Sequence, residues 1–263
     1  MIYDICTFNG EVELFEIRYN ILKSFVDEFR VIEFDKTFSG KPKQSKFNQK
    51  WDKVKHYFIT EEIWGKYEEG AKESPNTEYG KGAKHWQTEF MMKESIKSCL
   101  TDLKDGDIVF VGDTDEIWEN VDESDVTYWE NRGFNEYKLK LRVYSYYLNN
   151  RSNEEFYGTL VTKYKNIKDN CLNHLRTTLN HTQEYRGWHF TSMGGHENVK
   201  KKLTDSYTND SYANDQVLDN LQDNISNNKD FLGRDFTYKI DEENWPQWLK
   251  ENKDKYKHLC LKN

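Results

Sequence analysis

Asp113, Asp115 and Glu116 crowd into four consecutive positions directly after the apolar run Ile108-Val109-Phe110-Val111. The run is rich in β-branched residues and reads as a buried strand. Two residues apart on an extended backbone, Asp113 and Asp115 project their carboxylates the same way. Like charges so placed repel, and one pKa rises unless a cation or a donor compensates. Oxygen ligands suit Mg2+ or Mn2+, ions that also hold substrate phosphates. The plain alternative is an acidic strand end closed by Gly and Asp, and a D-x-D triplet alone does not decide between the two. The strand in front of it and the added Glu116 strengthen the metal reading. The carboxyl end of a strand is also where open α/β sheets bind ligands.

The elements that must position these acids follow from periodicity. Residues 2–8 read as a strand, Asn9-Gly10 as a turn, and residues 11–26 as a helix with Val12, Phe15, Tyr19, Leu22 and Val26 on one face. A second strand is expected over 31–34 and a third over 57–59, with a polar loop at 35–46. Residues 61–82 are charged and Gly-punctuated, a loop with one short helix. A helix over 86–103 carries Met92, Ile96, Cys99 and Leu103 as its stripe, and Lys104-Asp105-Gly106-Asp107 turns the chain into the acidic strand. Alternating strands and helices over the first 118 residues imply parallel pairing with helices on both faces. Further on, residues 137–148 alternate Leu139, Leu141 and Val143 with charges, as a half-exposed strand does. Shorter strands are expected over 158–164 and 187–193, and helices over 199–203 and 217–225. No repeat, linker or boundary is visible, so one domain over 1–263 is expected.

Composition bounds the function. The chain has 263 residues, 36% of them hydrophobic, and a mean hydropathy of −1.01. Its 8 Trp, 17 Tyr and 15 Phe supply core volume and exclude a disordered chain. The net charge of −8 lacks the basic footprint of a nucleic-acid binder. The run Lys200-Lys201-Lys202 reads as a solvated helix face. Cys6, Cys99, Cys171 and Cys260 are far apart and read as reduced thiols. No leader is visible in the first residues and no apolar run reaches about 20 residues, so a cytoplasmic protein without a membrane span is expected.

Four blocks carry a resemblance. They are Glu11-Val12-Glu13-Leu14-Phe15-Glu16-Ile17-Arg18, then Glu33 with Thr37-Phe38-Ser39-Gly40-Lys41-Pro42-Lys43, then Gly112-Asp113-Thr114-Asp115-Glu116-Ile117, and Trp188-His189-Phe190-Thr191-Ser192-Met193-Gly194-Gly195-His196-Glu197 with Lys202-Leu203. In order and spacing the chain resembles glycosyltransferase family 17, as a bacterial or viral member. The resemblance implies an α/β GT-A-like, Rossmann-type nucleotide-sugar-binding fold with a mostly parallel central sheet and helices on both faces. Residues 1–118 would be its nucleotide-binding half and 119–263 its acceptor-side half. It implies inverting transfer of a sugar, N-acetylglucosamine being one candidate, from a nucleotide donor expected to be a UDP-sugar. The acceptor would be a glycan or another hydroxyl compound.

In this reading Asp115 ligates Mn2+ or Mg2+ directly, Asp113 meets it through water or contacts ribose, and His189 is either a third ligand or a core histidine beside Trp188. An inverting transfer needs a base for the acceptor hydroxyl. Glu197, after the Gly194-Gly195 turn, is the first candidate, and Glu116 the second. Either one also fits a purely structural role, Glu197 as a first-turn helix acid. Gly194 and Gly195 would admit the backbone close to a sugar. Thr7, Glu11, Glu33, Lys41 and Lys43 complete the expected donor site, the lysines as point charges on phosphate. Arg18 is expected to form a structural ion pair with Glu33 or Asp115. Two other classes remain in play: a metal-dependent phosphoryl- or nucleotidyl-transfer enzyme, because acids after a strand serve that chemistry too, and a non-catalytic carbohydrate-binding protein.

Overall fold

The structure, a computed structural model, describes residues 1–48, 50–73, 84–207 and 212–262. β1 (Ile2–Thr7) lies between β2 (Glu28–Phe34) and β4 (Ile108–Asp113), and β3 (Val54–Ile59) lies beyond β2; all three pairings are parallel. Helix α1 (Val12–Leu22) connects β1 to β2, and α2 (Lys84–Ser95) precedes β4. Period-2 alternation sends successive strand residues to opposite faces. Tyr3, Ile5, Val109 and Val111 therefore pack with Met92 and Ile96, while Cys6, Phe8 and Val31 pack with Phe15. Both faces of this half are thus covered, as expected. Of the segment 61–82, residues 74–82 lie outside the described residues, and the part before them forms two short helices, Glu61–Trp64 and Glu68–Glu73, where one was expected.

The rest of the sheet departs from the expectation. β6 (Glu136–Ser145) and β7 (Asn150–Lys163) form an antiparallel pair, and β7 also runs antiparallel to β4. β8 (His181–Thr191) lies parallel to β6, β5 (Glu116–Trp118) antiparallel to β8, and β9 (Tyr238–Ile240) antiparallel to β7. Among the described residues four pairings are parallel and four antiparallel, so the sheet is mixed rather than mostly parallel. The reason is connection length. Only residues 146–149 join β6 to β7, too few for the crossover of a dozen or more residues that a parallel pair needs. Helices α3 (Glu123–Glu130), α4 (Gly195–Ser206) and α5 (Asp215–Ser226) complete the longer elements.

The sheet must also curl. In pairing order β7, β6 and β8 separate β4 from β5, yet only Thr114 and Asp115 link them in the chain. Four strand spacings in a flat sheet make roughly 19 Å, whereas the three Cα steps from Asp113 to Glu116 reach only about 10 Å. A buried ion pair pins this tight link. Arg18 binds Asp4 through Nε at 2.7 Å and Nη2 at 2.6 Å, and its Nη1 donates to the carbonyl oxygens of Asp113, at 3.0 Å, and Glu116. Trp118 Nε1 donates to Asp4 Oδ1 at 2.8 Å. The partner of Arg18 is therefore Asp4, not Glu33 or Asp115.

Candidate active site

β1 and β4 lie side by side, but β1 leads on to β2 and β4 to the antiparallel strands. At such a switch point the connections part and leave a crevice beyond the carboxyl ends of the strands. A cavity of about 390 Å³ opens there. Thr7 and Asp113 are register partners, and the Thr7 hydroxyl donates to Asp113 Oδ1 at 2.5 Å. The Thr114 N–H and hydroxyl both donate to the Thr7 carbonyl, at 3.1 Å and 2.6 Å, fixing the chain just before Asp115.

Cations meet both aspartates. Lys93 of α2 stands 3.2 Å from Asp113 Oδ2 and 2.9 Å from Glu89, and Arg176 stands 3.8 Å from Asp113. Burial alone would raise the Asp113 carboxyl, but Lys93 and Arg176 hold it well below the usual carboxylate range. Lys202 of α4 stands 2.8 Å from Asp115 Oδ2, and His189 Nε2 3.6 Å from Oδ1. Against burial, Lys202 and His189 depress the Asp115 carboxyl in the same way. Burial would lower Lys202 and His189 in turn, yet Asp115 lifts both above their ordinary values.

β8 delivers His189 because Glu116 of β5 is its register partner, and the Phe190 N–H donates to the Asp115 carbonyl at 2.8 Å. Phe156 of β7 stacks on the imidazole at 4.0 Å. His189 Nδ1 is buried without a hydrogen-bond partner among the described residues. Glu11 accepts from the Asn9 N–H at 2.6 Å; burial raises its carboxyl despite that bond, and Asp115 adds to the rise. Lys43 donates to Asn9 Oδ1 at 2.8 Å, and burial lowers its pKa.

Thr7, Glu11, Lys43, Asp113, Asp115, Glu116 and His189 all line this cavity. The other expected residues stand elsewhere. Glu33 is buried and ties down the following loop, accepting from Ser45 Oγ at 2.6 Å, Lys46 N at 2.9 Å and Phe47 N at 3.2 Å, with His56 Nε2 at 3.0 Å. Lys41 is 53% exposed and 3.5 Å from Asp205. Its loop docks on the end of α4, where Ser39 donates to the Thr204 and Asp205 carbonyls. Gly194 and Gly195 open α4 at φ of 94° and 76°. Glu197 sits in the first turn of α4, 87% exposed and 3.2 Å from His196. Lys202, five residues on and about 140° around the helix, faces the cavity instead.

Glu116 lines the cavity, but its carboxylate is engaged. It accepts from the Thr159 N–H at 2.6 Å and hydroxyl at 3.0 Å. A Cβ at Gly112 or Gly158 would come within 2.6 Å or 2.8 Å of this carboxyl group, so both glycines make room for it.

Sequence reasoning passed over Lys93, Arg176, Glu154, Asp230 and Arg234, which also belong to this region. It read Lys202 as solvated, which the Asp115 contact corrects. A signal existed for Lys202: it follows Val199 by three residues and precedes the buried Leu203, the inward stripe of an amphipathic helix.

Among the described residues no group of three or more His, Cys, Asp and Glu side chains is disposed to hold a metal ion by itself. Asp113 and Asp115 nonetheless offer carboxylate oxygens and His189 a ring nitrogen. Mg2+ commonly takes one or two carboxylates and completes its shell from substrate phosphates and water. The donor set fits such an ion in kind, with a phosphate substrate filling the remaining positions.

An α/β sheet that sets carboxylates, lysines and an arginine around one crevice at its switch point makes a charged, polar crevice of the kind in which α/β proteins bind ligands. The family model for Glycosyltransferase family 17 matches residues 1–262, and the chain belongs to that family. It is therefore a glycosyltransferase, which displaces the phosphoryl-transfer and non-catalytic alternatives. Comparison with curated proteins finds no match. No helix among the described residues is long and apolar enough to cross a membrane.

Proposed function

We propose that this glycosyltransferase is inverting and metal-dependent, and moves a sugar from a nucleoside-diphosphate donor, UDP-linked in the first instance, to a carbohydrate hydroxyl. The observation that supports this best is the pair Asp113 and Asp115 at the β1/β4 switch point, facing one cavity with Thr7, Glu11 and Lys43. Asp115 would hold the ion directly, Asp113 through water, and His189 would be a third ligand or a donor to the diphosphate. When bound, Mn2+ or Mg2+ supplies Lewis-acid stabilisation to the departing diphosphate. Lys43, Lys93 and Lys202 surround the same space and would neutralise the phosphates as point charges. The Asp4–Arg18 pair keeps the Asp113–Glu116 link in place while the donor enters.

The test is a screen of UDP-glucose, UDP-galactose and UDP-N-acetylglucosamine with Mn2+, read as released UDP. Turnover is expected with at least one donor and is expected to stop with EDTA. Asp115→Ala should cost about 10²- to 10³-fold, the scale of losing a preorganised electrostatic group at the reacting centre. An Asp115→Ala protein that turns over at the wild-type rate with Mn2+ present removes this site from the reaction.

A further inference from the structure

The cavity has a second end, walled by the antiparallel strands. Glu154 and Phe156 are two residues apart on β7 and both line it, as the period of a strand requires. Phe156 stacks on His189, which in turn reaches Asp115. Glu154 thus shares its face of β7 with the ring that stacks on His189. Phe231, Leu232 and Arg234 close that end.

The carboxylates around the cavity differ in what already holds them. Asp113 and Asp115 face lysines, Glu116 is bonded to Thr159, Glu11 accepts from the Asn9 N–H at 2.6 Å, and Glu89 pairs with Lys93. Asp205 pairs with Lys201. Asp230 accepts from Arg234 Nε at 3.0 Å and Nη2 at 2.8 Å and from the Leu232 N–H at 3.0 Å. Among the described residues the Glu154 carboxylate has one hydrogen-bonding partner, Arg234 Nη1 at 3.4 Å, and that guanidinium is already committed to Asp230.

The geometry points to Glu154 as the general base of sugar transfer, at an acceptor subsite formed by Phe156, Phe231 and Arg234 that takes a carbohydrate hydroxyl. This rests on the functional reading above. As the acceptor oxygen bonds to the anomeric carbon, its proton passes to the Glu154 carboxylate. The bond from that carbon to the diphosphate oxygen breaks, and its electron pair leaves on the diphosphate. Burial raises the Glu154 carboxyl, Arg234 and His189 oppose the rise, and Asp230 adds to it; a base lifted toward neutral pH takes a proton more readily.

Glu154→Gln is expected to slow UDP release from the donor that wild type turns over fastest by about 10²- to 10⁴-fold, the usual range for a general base. The thermal shift produced by UDP with Mn2+ should be unchanged in that variant. Glu155→Gln, on the outward neighbour paired with Lys140, should keep the wild-type rate. Sodium azide, a nucleophile with no proton to lose, should restore UDP release in Glu154→Gln and not in Asp115→Ala. A Glu154→Gln protein that works at the wild-type rate, one that loses the UDP shift together with turnover, or one that azide leaves inert overturns the assignment. So does a loss of transfer in Glu197→Gln with no loss in Glu154→Gln. A wild-type chain inert with every donor instead overturns the functional reading, and this assignment with it.

Discussion

At the end of the parallel strands, Asp113 has Lys93 at 3.2 Å and Asp115 has Lys202 at 2.8 Å; on the antiparallel strands, Glu154 has Arg234 at 3.4 Å, shared with Asp230. The first arrangement locks two carboxylates in their charged form, with both pKa values driven down. The second leaves a carboxylate loosely held, with its pKa driven up. Fixed charge suits a site that binds an anionic donor through a cation, and a loosely held carboxylate suits one where a proton moves. One cavity can carry both tasks because the curled sheet brings the two kinds of strand end together.

The largest effect is expected at the joint between the halves. Arg18 and Asp4 are both fully buried, so Arg18→Met leaves Asp4 as an uncompensated interior charge. Such a break typically costs about 3–5 kcal/mol, read as a lower urea midpoint. Adding Asp4→Leu should recover part of this, because neither charge then remains. The recovery should be incomplete by about 1–3 kcal/mol, since Trp118 Nε1 loses its acceptor. A double variant no more stable than Arg18→Met would show that the cost lies in the lost Arg18 bonds to the Asp113 and Glu116 carbonyls rather than in the charge left on Asp4.

Next is Lys202, which α4 of the later half sends to Asp115 of the earlier one. If its charge serves the donor phosphates, Lys202→Met should raise the donor KM roughly ten- to a hundredfold, as losing a hydrogen bond to a charged group does. If it only neutralises Asp115, its removal should tighten Mn2+ binding and leave the donor KM alone. We expect the first outcome; the second would assign the lysine to Asp115 rather than to the donor.

The two halves were not equally legible. Each part of the parallel half carries a local signal: β-branched runs for the strands, 3.6-residue stripes for α1 and α2, and acids at the end of β4. Thr7, Asp113 and Asp115 could be placed because strand ends are where such sheets bind ligands. Nothing local marks the role of Asp4, because only the distant Arg18 turns a charge inside a short apolar strand into a pinned joint. The β6–β7 turn falls inside a stretch that alternates like one strand, at Tyr146-Tyr147-Leu148-Asn149, with no Gly or Pro to mark it. Helix α3 was overlooked although Asp122 and Asp125 cap its start reciprocally, a signal local enough to read. Glu154 and Glu155 differ only in which face of β7 they occupy, and that depends on pairing with strands far away in sequence.

The smallest effect separates two lysines that look alike in the block Lys41-Pro42-Lys43. Lys43 lines the cavity, is drawn to Asn9, and has its pKa lowered by burial. Lys41 is 53% exposed, with a long contact to Asp205. A partly desolvated ammonium beside a phosphate site interacts strongly, whereas an exposed pair contributes about 0–1 kcal/mol. Lys43→Met should therefore raise the donor KM about five- to tenfold with little change in kcat, and Lys41→Met less than about twofold. This contrast bears on the larger one, because it asks whether the fixed charge of the parallel half acts through the cavity or through the general field of the surface. Equal effects of the two substitutions, both fading in high salt, would favour the surface field and remove Lys43 from the donor site.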